Sequence, residues 1–208
     1  MSIQKAYNSW ANIYDSNHNK TRDLDKVVTI KTLSNYQFDN VLELGCGTGK
    51  NTEWLVEHAK QIIGLDFSDE MLKKAKEKIR SNKVKFQKAD LTKGWNVPNY
   101  FADLVTSSLT LEHIENLDFI FQQAHLKLKT KGKFFISELH PFKQYLGTKA
   151  KYDTDQGEEE LEVYIHHVSE FLKNAKKMGF ILIHFQEWFD NDNKEIPRLI
   201  SFVFEKND

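Results

Sequence analysis

Three glycines at alternate positions, Gly45, Gly47 and Gly49, follow the apolar run Val41-Leu42-Glu43-Leu44 and precede a helical pattern. Bare α-carbons let the main chain turn tightly and come within contact distance of a ligand. N–H groups at the start of the following helix add a local positive potential. Asp66 closes the next apolar run, twenty-one residues after Gly45, a spacing that suits a carboxylate accepting hydrogen bonds from ribose hydroxyls in a doubly wound sheet. Phe67 and Met71 offer an apolar enclosure for a purine ring. Ala89-Asp90-Leu91 repeats the arrangement after a third run, with Asp90 placed to meet the exocyclic amine of adenine. Together these residues describe an adenosine site at the carboxyl ends of parallel strands. A nicotinamide or flavin fingerprint, G-x-G-x-x-G, calls for a small residue at position 50, where this chain has Lys50.

The elements that must position these residues are short strands alternating with amphipathic helices. Strand-like runs lie at 41–44, 61–65, 83–86, 102–106 and 133–136, and helical patterns at 52–59, 68–80 and 117–128. Met71, Leu72, Ala75 and Ile79 fall on one face at helical spacing, opposite Lys73, Lys74, Lys76 and Lys78. The expected fold class is α/β, doubly wound, with a mostly parallel seven-stranded sheet and helices on both faces. The ends break the alternation. Residues 3–36 read as helical, and 180–185 and 199–204, joined by a turn-rich segment at 190–194, read as an antiparallel C-terminal hairpin. A helix from about 169 to 178 precedes the hairpin and stops at Gly179. Residues 139–165 are the least regular stretch and carry the acidic run Glu158-Glu159-Glu160.

The run Glu43-Leu44-Gly45-Cys46-Gly47-Thr48-Gly49 matches the first motif of the class I, seven-stranded, Rossmann-like S-adenosylmethionine-dependent methyltransferases. Gly64-Leu65-Asp66-Phe67-Ser68 with Met71 resembles their second motif and Ala89-Asp90 their third. Asp103-Leu104-Val105 with Leu111-Glu112-His113-Ile114 is similar to the fourth-strand region of the small-molecule branch, and 128–133 to the approach to strand five. The resemblance covers about residues 36–138. It implies a single domain, 1–208, made of an N-terminal helical lid (1–36), a cofactor-binding core (37–138), an acceptor-cap insertion (139–165) and a C-terminal helix and hairpin (166–208). The implied cofactor is S-adenosyl-L-methionine, with S-adenosyl-L-homocysteine as product. Glu43, Gly45, Cys46, Gly47, Asp66, Phe67, Met71, Asp90, Leu91 and Ser107 are the implied cofactor contacts, with Ser108 beside Ser107 at the border of the methyl donor, Tyr14 from the lid and Arg22 facing the cofactor's carboxylate.

The expected reaction is in-line transfer of a methyl group to an oxygen, nitrogen or carbon nucleophile of a small molecule, with acceptor positioning and water exclusion as the protein's main tasks. His113, following strand four, and His140 are the candidate bases. Tyr7, Trp10, His140, Tyr145, His166 and Arg198 are the candidate acceptor contacts. No metal site is expected, because the neighbours His166 and His167 point apart and Cys46 is the single cysteine. A formal net charge of -1 writes no strongly basic surface into the total, which disfavours nucleic acid as substrate without excluding transfer RNA; a non-catalytic S-adenosylmethionine-binding protein is the other alternative. The sequence has no apolar run of membrane-spanning length, so a cytoplasmic monomer or homodimer is expected.

Overall fold

The computed structural model describes residues 7–8, 11, 19–147, 151–154, 157–160 and 163–207. Helix α1 (Lys20–Leu33) leads into β1 (Asn40–Leu44), α2 (Thr52–His58), β2 (Gln61–Asp66), α3 (Asp69–Lys78), β3 (Val84–Lys88) and β4 (Ala102–Ser108). A three-residue 3₁₀ turn (Leu111–His113), α4 (Leu117–Lys127), β5 (Leu128–Leu139), α5 (Pro141–Tyr145), β6 (Lys151–Thr154) and β7 (Gly157–Glu160) follow. The described chain ends with α6 (Val168–Lys177), β8 (Phe180–Asp190) and β9 (Asn193–Lys206).

One seven-stranded sheet runs in the order β3-β2-β1-β4-β5-β9-β8. Strands β1 to β5 pair in parallel, and β9 lies antiparallel to both β5 and β8. The strand order reverses between β1 and β4, which places a crevice beyond their carboxyl ends. Leu44 is in register with Leu65 on one side and Ser107 on the other, so the residues that follow β1, β2 and β4 emerge side by side.

Period-two alternation divides the core between the two faces of the sheet. Leu42, Val105, Phe134, Ile136, Phe202 and Phe204 pack with Phe121 of α4 and Phe171 of α6. Val41, Leu104, Phe135 and Val203 point the other way, against Val28 and Leu33 of α1 and Leu55 of α2. Phe121 meets Phe134 and Phe204 edge-on, with centroids 5.3 and 5.6 Å apart, a geometry that aromatic quadrupoles favour.

The doubly wound α/β architecture and reversed hairpin agree with the sequence reading. The strands of the hairpin are longer than expected: β8 and β9 extend until only Asn191 and Asp192 separate them. The 139–165 stretch, read as irregular, contains α5 and the small antiparallel sheet β6–β7. Pro141 explains α5, since a proline in the first turn gives up only an N–H that would lack a helical partner. No helix among the described residues is long and apolar enough to cross a membrane.

Candidate active site

A cavity of about 260 Å³ opens beyond the carboxyl ends of β1, β2 and β4. One wall is the glycine turn. Gly45 and Gly47 have φ of 64° and 53°, the left-handed region that side chains disfavour. A Cβ on Gly45 would lie 2.2 Å from Thr110 Oγ1, whereas one on Gly47 would meet nothing within 4 Å and project into open space. The turn is tied to β2 by Cys46 N–H donating to Leu65 O at 3.0 Å.

Asp66 ends β2 and is buried. Its Oδ2 accepts from Gly47 N–H at 2.8 Å and its Oδ1 from Ser68 N–H at 2.9 Å. Burial raises its pKa, and the N–H groups of Ser68, Gly47 and Phe67 pull the other way. Ser68 caps α3 by accepting from Met71 N–H at 3.2 Å, and its hydroxyl donates to Asn8 Oδ1 at 2.6 Å. Phe67, Met71 and Leu91 form an apolar wall beside the carboxylate, with Ala89, Asp90 and Thr92 at its edge. Asp90 turns its carboxylate to the Thr92 hydroxyl at 2.6 Å and Lys93 Nζ at 3.1 Å. The Thr92 hydroxyl bond is the largest cause of its lowered pKa.

The opposite wall comes from the end of β4 and the segment after it, with Ser108, Leu109, Thr110, His113 and Ile114, and from Tyr7. Tyr7 and His113 Nε2 share a hydrogen bond of 2.8 Å, and the Tyr7 ring also lies edge-on to Phe67 at 5.9 Å. Tyr7 therefore bridges the two walls. Glu112 and Glu138 lie behind this side. Burial pushes Glu112 up to about 7, opposed by its contact with Gln144. Burial, then the charge of Glu112, pushes Glu138 up to about 8.

A smaller cavity of about 30 Å³ shares Gly45, Gly47, Ser108 and Leu109 with the first and is lined further by Glu43, Cys46, Lys50, Asn51 and Thr106. Glu43 accepts from the Thr52 hydroxyl. Burial pushes its pKa up to about 7 and raises the Cys46 thiol well above its ordinary range. Lys50 reaches from this cavity to the fully buried Asp25 of α1 and to Arg22 O at 3.3 Å.

Of the residues read as cofactor contacts, Gly45, Gly47, Asp66, Phe67, Met71, Asp90 and Leu91 line the larger cavity, and Glu43 and Cys46 the smaller. Arg22 is buried in α1 but lines neither. Ser107 is fully buried and turned away, and its successor Ser108 faces both cavities. Tyr14 and Trp10 lie outside the described residues. Of the acid–base and acceptor candidates, His113 and Tyr7 are brought together at the cavity.

The others lie elsewhere because their polar atoms serve the fold. His140 caps α5, with Nδ1 accepting from Phe142 N–H at 3.1 Å and Nε2 lying 3.0 Å from Glu187. Burial is the largest influence on its pKa and lowers it. Arg198 grips Asp190 across the hairpin and donates to Thr21 Oγ1 at 3.0 Å. Tyr145 is exposed, its hydroxyl 2.6 Å from His167 Nδ1. His166 is buried against the turn that carries His113. Thr92, Leu109, Thr110 and Ile114 complete the cavity without having been read from the sequence. Among the described residues no group of three His, Cys, Asp or Glu side chains is arranged to hold a metal ion.

A family model described as a methyltransferase domain matches residues 42–136, which span the glycine turn, Asp66, Asp90 and His113. An uncharacterized protein of Haemophilus influenzae is 25% identical over 153 residues, covering 71% of this chain and 60% of that protein. Malonyl-[acyl-carrier protein] O-methyltransferase of Bacillus cytotoxicus is 28% identical over 140 residues, covering 65% of this chain and 48% of the relative. A solved structure of a candidate S-adenosylmethionine-dependent methyltransferase from Listeria monocytogenes superposes with a TM-score of 0.76 at 25% identity, covering 88% of this chain and 98% of that one. The chain spans between 38% and 76% of the length of the first five curated relatives it matches.

Proposed function

The chain belongs to the class I, Rossmann-like S-adenosylmethionine-dependent methyltransferases, and from that premise we propose that it transfers a methyl group from S-adenosylmethionine to a small-molecule acceptor. The observation that carries this reading is the pairing of two unlike walls: bare glycine main chain with the buried Asp66 on one side, Tyr7 and His113 on the other.

The residues present fit the donor. Asp66 is an acceptor-only carboxylate suited to a ribose diol, and Phe67, Met71 and Leu91 offer an apolar slot for adenine with Asp90 at its edge. Open space beside Gly47 admits a ligand where any other residue would place a Cβ. Gly45, Cys46 and Gly47 would face the methionine part, with Glu43 behind them. When bound, the donor supplies a methyl group already activated by a positively charged sulfur. The protein's own work is to orient an acceptor against that position, keep water out, and remove a proton where the acceptor carries one.

His113 is the group we assign to that proton. Its Nε2 faces Tyr7 across the cavity, so the phenol orients the ring and is itself held over the site. One relative is by name a malonyl-[acyl-carrier protein] O-methyltransferase. The acceptor here is read as an oxygen, nitrogen or carbon nucleophile of a small molecule.

The test is Asp66→Ala with calorimetric titration of S-adenosylmethionine. Hydrogen bonds to a charged group contribute about 1.5–3 kcal/mol each, so one lost bond weakens donor binding by roughly 10- to 100-fold. Unchanged affinity in the folded variant would overturn the ribose assignment. A labelled donor incubated with metabolite extracts, followed by mass identification of labelled products, then finds the acceptor.

A further inference from the structure

The turn that brings His113 to the cavity, Leu111–His113, is only three residues long. Such a turn satisfies few of its own carbonyls, and its partners come from far along the chain. The segment leading into α6 supplies them. Tyr164 N–H donates to Glu112 O at 2.7 Å. The ring of His166 lies with Nε2 2.8 Å from Ile114 O and 3.2 Å from Leu111 O.

Carbonyl oxygens only accept, so Nε2 must carry a hydrogen. On the other side of the ring, Nδ1 lies 3.2 Å from Glu170 Oε2, four residues later on α6. Phe171 meets the ring edge-on at 6.0 Å. The imidazole is thus fixed at both nitrogens and on its face. At the start of the same turn, Glu138 of β5 takes the N–H groups of Thr110 and Leu111. The turn is clamped at its beginning by a carboxylate and at its end by an imidazole, while His113 between them is left to face Tyr7.

We propose that His166 is a positioning residue for the acceptor side of the cavity: through its Nε2–H it holds the main chain that carries His113. This rests on the methyltransferase reading of the cavity, although the clamp itself can be measured without an acceptor. The glycine turn, Asp66 and the apolar wall come from other elements, so the clamp acts on the His113 side and leaves the donor side alone.

The experiment uses the full chain and two variants. His166→Met keeps the length of the side chain without a donor; His166→Gln places an amide nitrogen, with two hydrogens, where both carbonyls can receive them. The readouts are the His113 imidazole resonances through a pH titration, identified by their loss in His113→Ala, and S-adenosylmethionine affinity by calorimetry. In His166→Met the His113 resonances shift or broaden and their titration midpoint moves. Donor affinity stays within about twofold of the native value, and His166→Gln returns the native His113 signature. A folded Met variant with native His113 resonances and midpoint would overturn the proposal, as would a Gln variant that behaves like Met. Should the Met variant not fold, nitrogen-detected spectra of the native protein decide: a His166 ring protonated at Nε2 supports the clamp, and one protonated only at Nδ1 excludes it. Native protein that binds no S-adenosylmethionine but shows the Nε2 proton and Gln rescue would instead refute the methyltransferase reading and leave the clamp standing.

Discussion

Glu138→Gln isolates the energetic consequence of one buried acid. Glu138 is 4% exposed, and its Oε1 accepts two main-chain N–H groups while its Oε2 is buried without a hydrogen-bond partner among the described residues. Its carboxyl holds a proton up to about pH 8 in the fold, against 4.5 ordinarily. Between those values the folded protein binds a proton that the unfolded chain has released, so stability falls as pH rises. The contribution is fully present below about pH 4.5 and gone above about pH 8. At about 1.4 kcal/mol per pH unit, that window amounts to about 5 kcal/mol. Glutamine retains a carbonyl oxygen for both N–H donors and cannot ionise. The variant and the native protein should therefore differ little at pH 5, and by pH 8.5 the variant should be the more stable by about 3–5 kcal/mol. Urea unfolding at half-unit intervals of pH measures this, and a slope of about 2–3 kcal/mol/M turns the difference into a midpoint separation of about 1–2.5 M at high pH. Glu43 and Glu112, both pushed to about 7, add their own slope to both proteins, so the difference curve belongs to Glu138. Curves that run parallel from pH 5 to 8.5 would show the carboxylate ionised throughout and refute the reasoning.

Gly45→Ala should lower thermal stability by at least about 1–3 kcal/mol from its positive φ alone, and by more from the approach to Thr110; a scan showing an unchanged melting temperature would mean that the turn relaxes freely. His113→Ala should slow turnover of the identified acceptor by roughly 10²- to 10⁴-fold with donor affinity preserved, and full activity would remove it as the base.

The wall made by the glycine turn and Asp66 was legible in the sequence because its residues carry local signals. Gly45 and Gly47 both suit a positive φ, and at Gly45 the approach of Thr110 leaves no room for a Cβ, while Asp66 closes the β2 run. Ser107 and Ser108 show how strand phase decides which of two neighbours reaches a site. Strand side chains alternate between faces, so Thr106 and Ser108 reach the cavities while Ser107 points into the protein. The acceptor side gave less warning. Arg198 pairs with Asp190 only because β8 and β9 lie in one register, and His166 meets carbonyls more than fifty residues away. Both are facts of tertiary placement with no local periodicity behind them. His140 did have a local signal, since the Pro141 after it marks a helix start and leaves the preceding residue to cap.

The same reasoning joins stability to ligand choice. Glu43 and Asp66 lie within each other's field, each raised by burial, and Cys46 feels both. Lys50 supplies a cation to this group, but its ammonium is already committed to Asp25. An anionic ligand in the cavity would make these acids costlier still to ionise. A ligand carrying positive charge would favour their ionised forms, because a nearby opposite charge offsets the desolvation that raises their pKa values. The fold thus bears an electrostatic penalty at the carboxyl ends of β1 and β2 that a cation relieves. That is the ligand property a sulfonium donor has, and a nicotinamide dinucleotide, whose pyrophosphate would have to lie on the glycine turn beside Glu43, lacks it there.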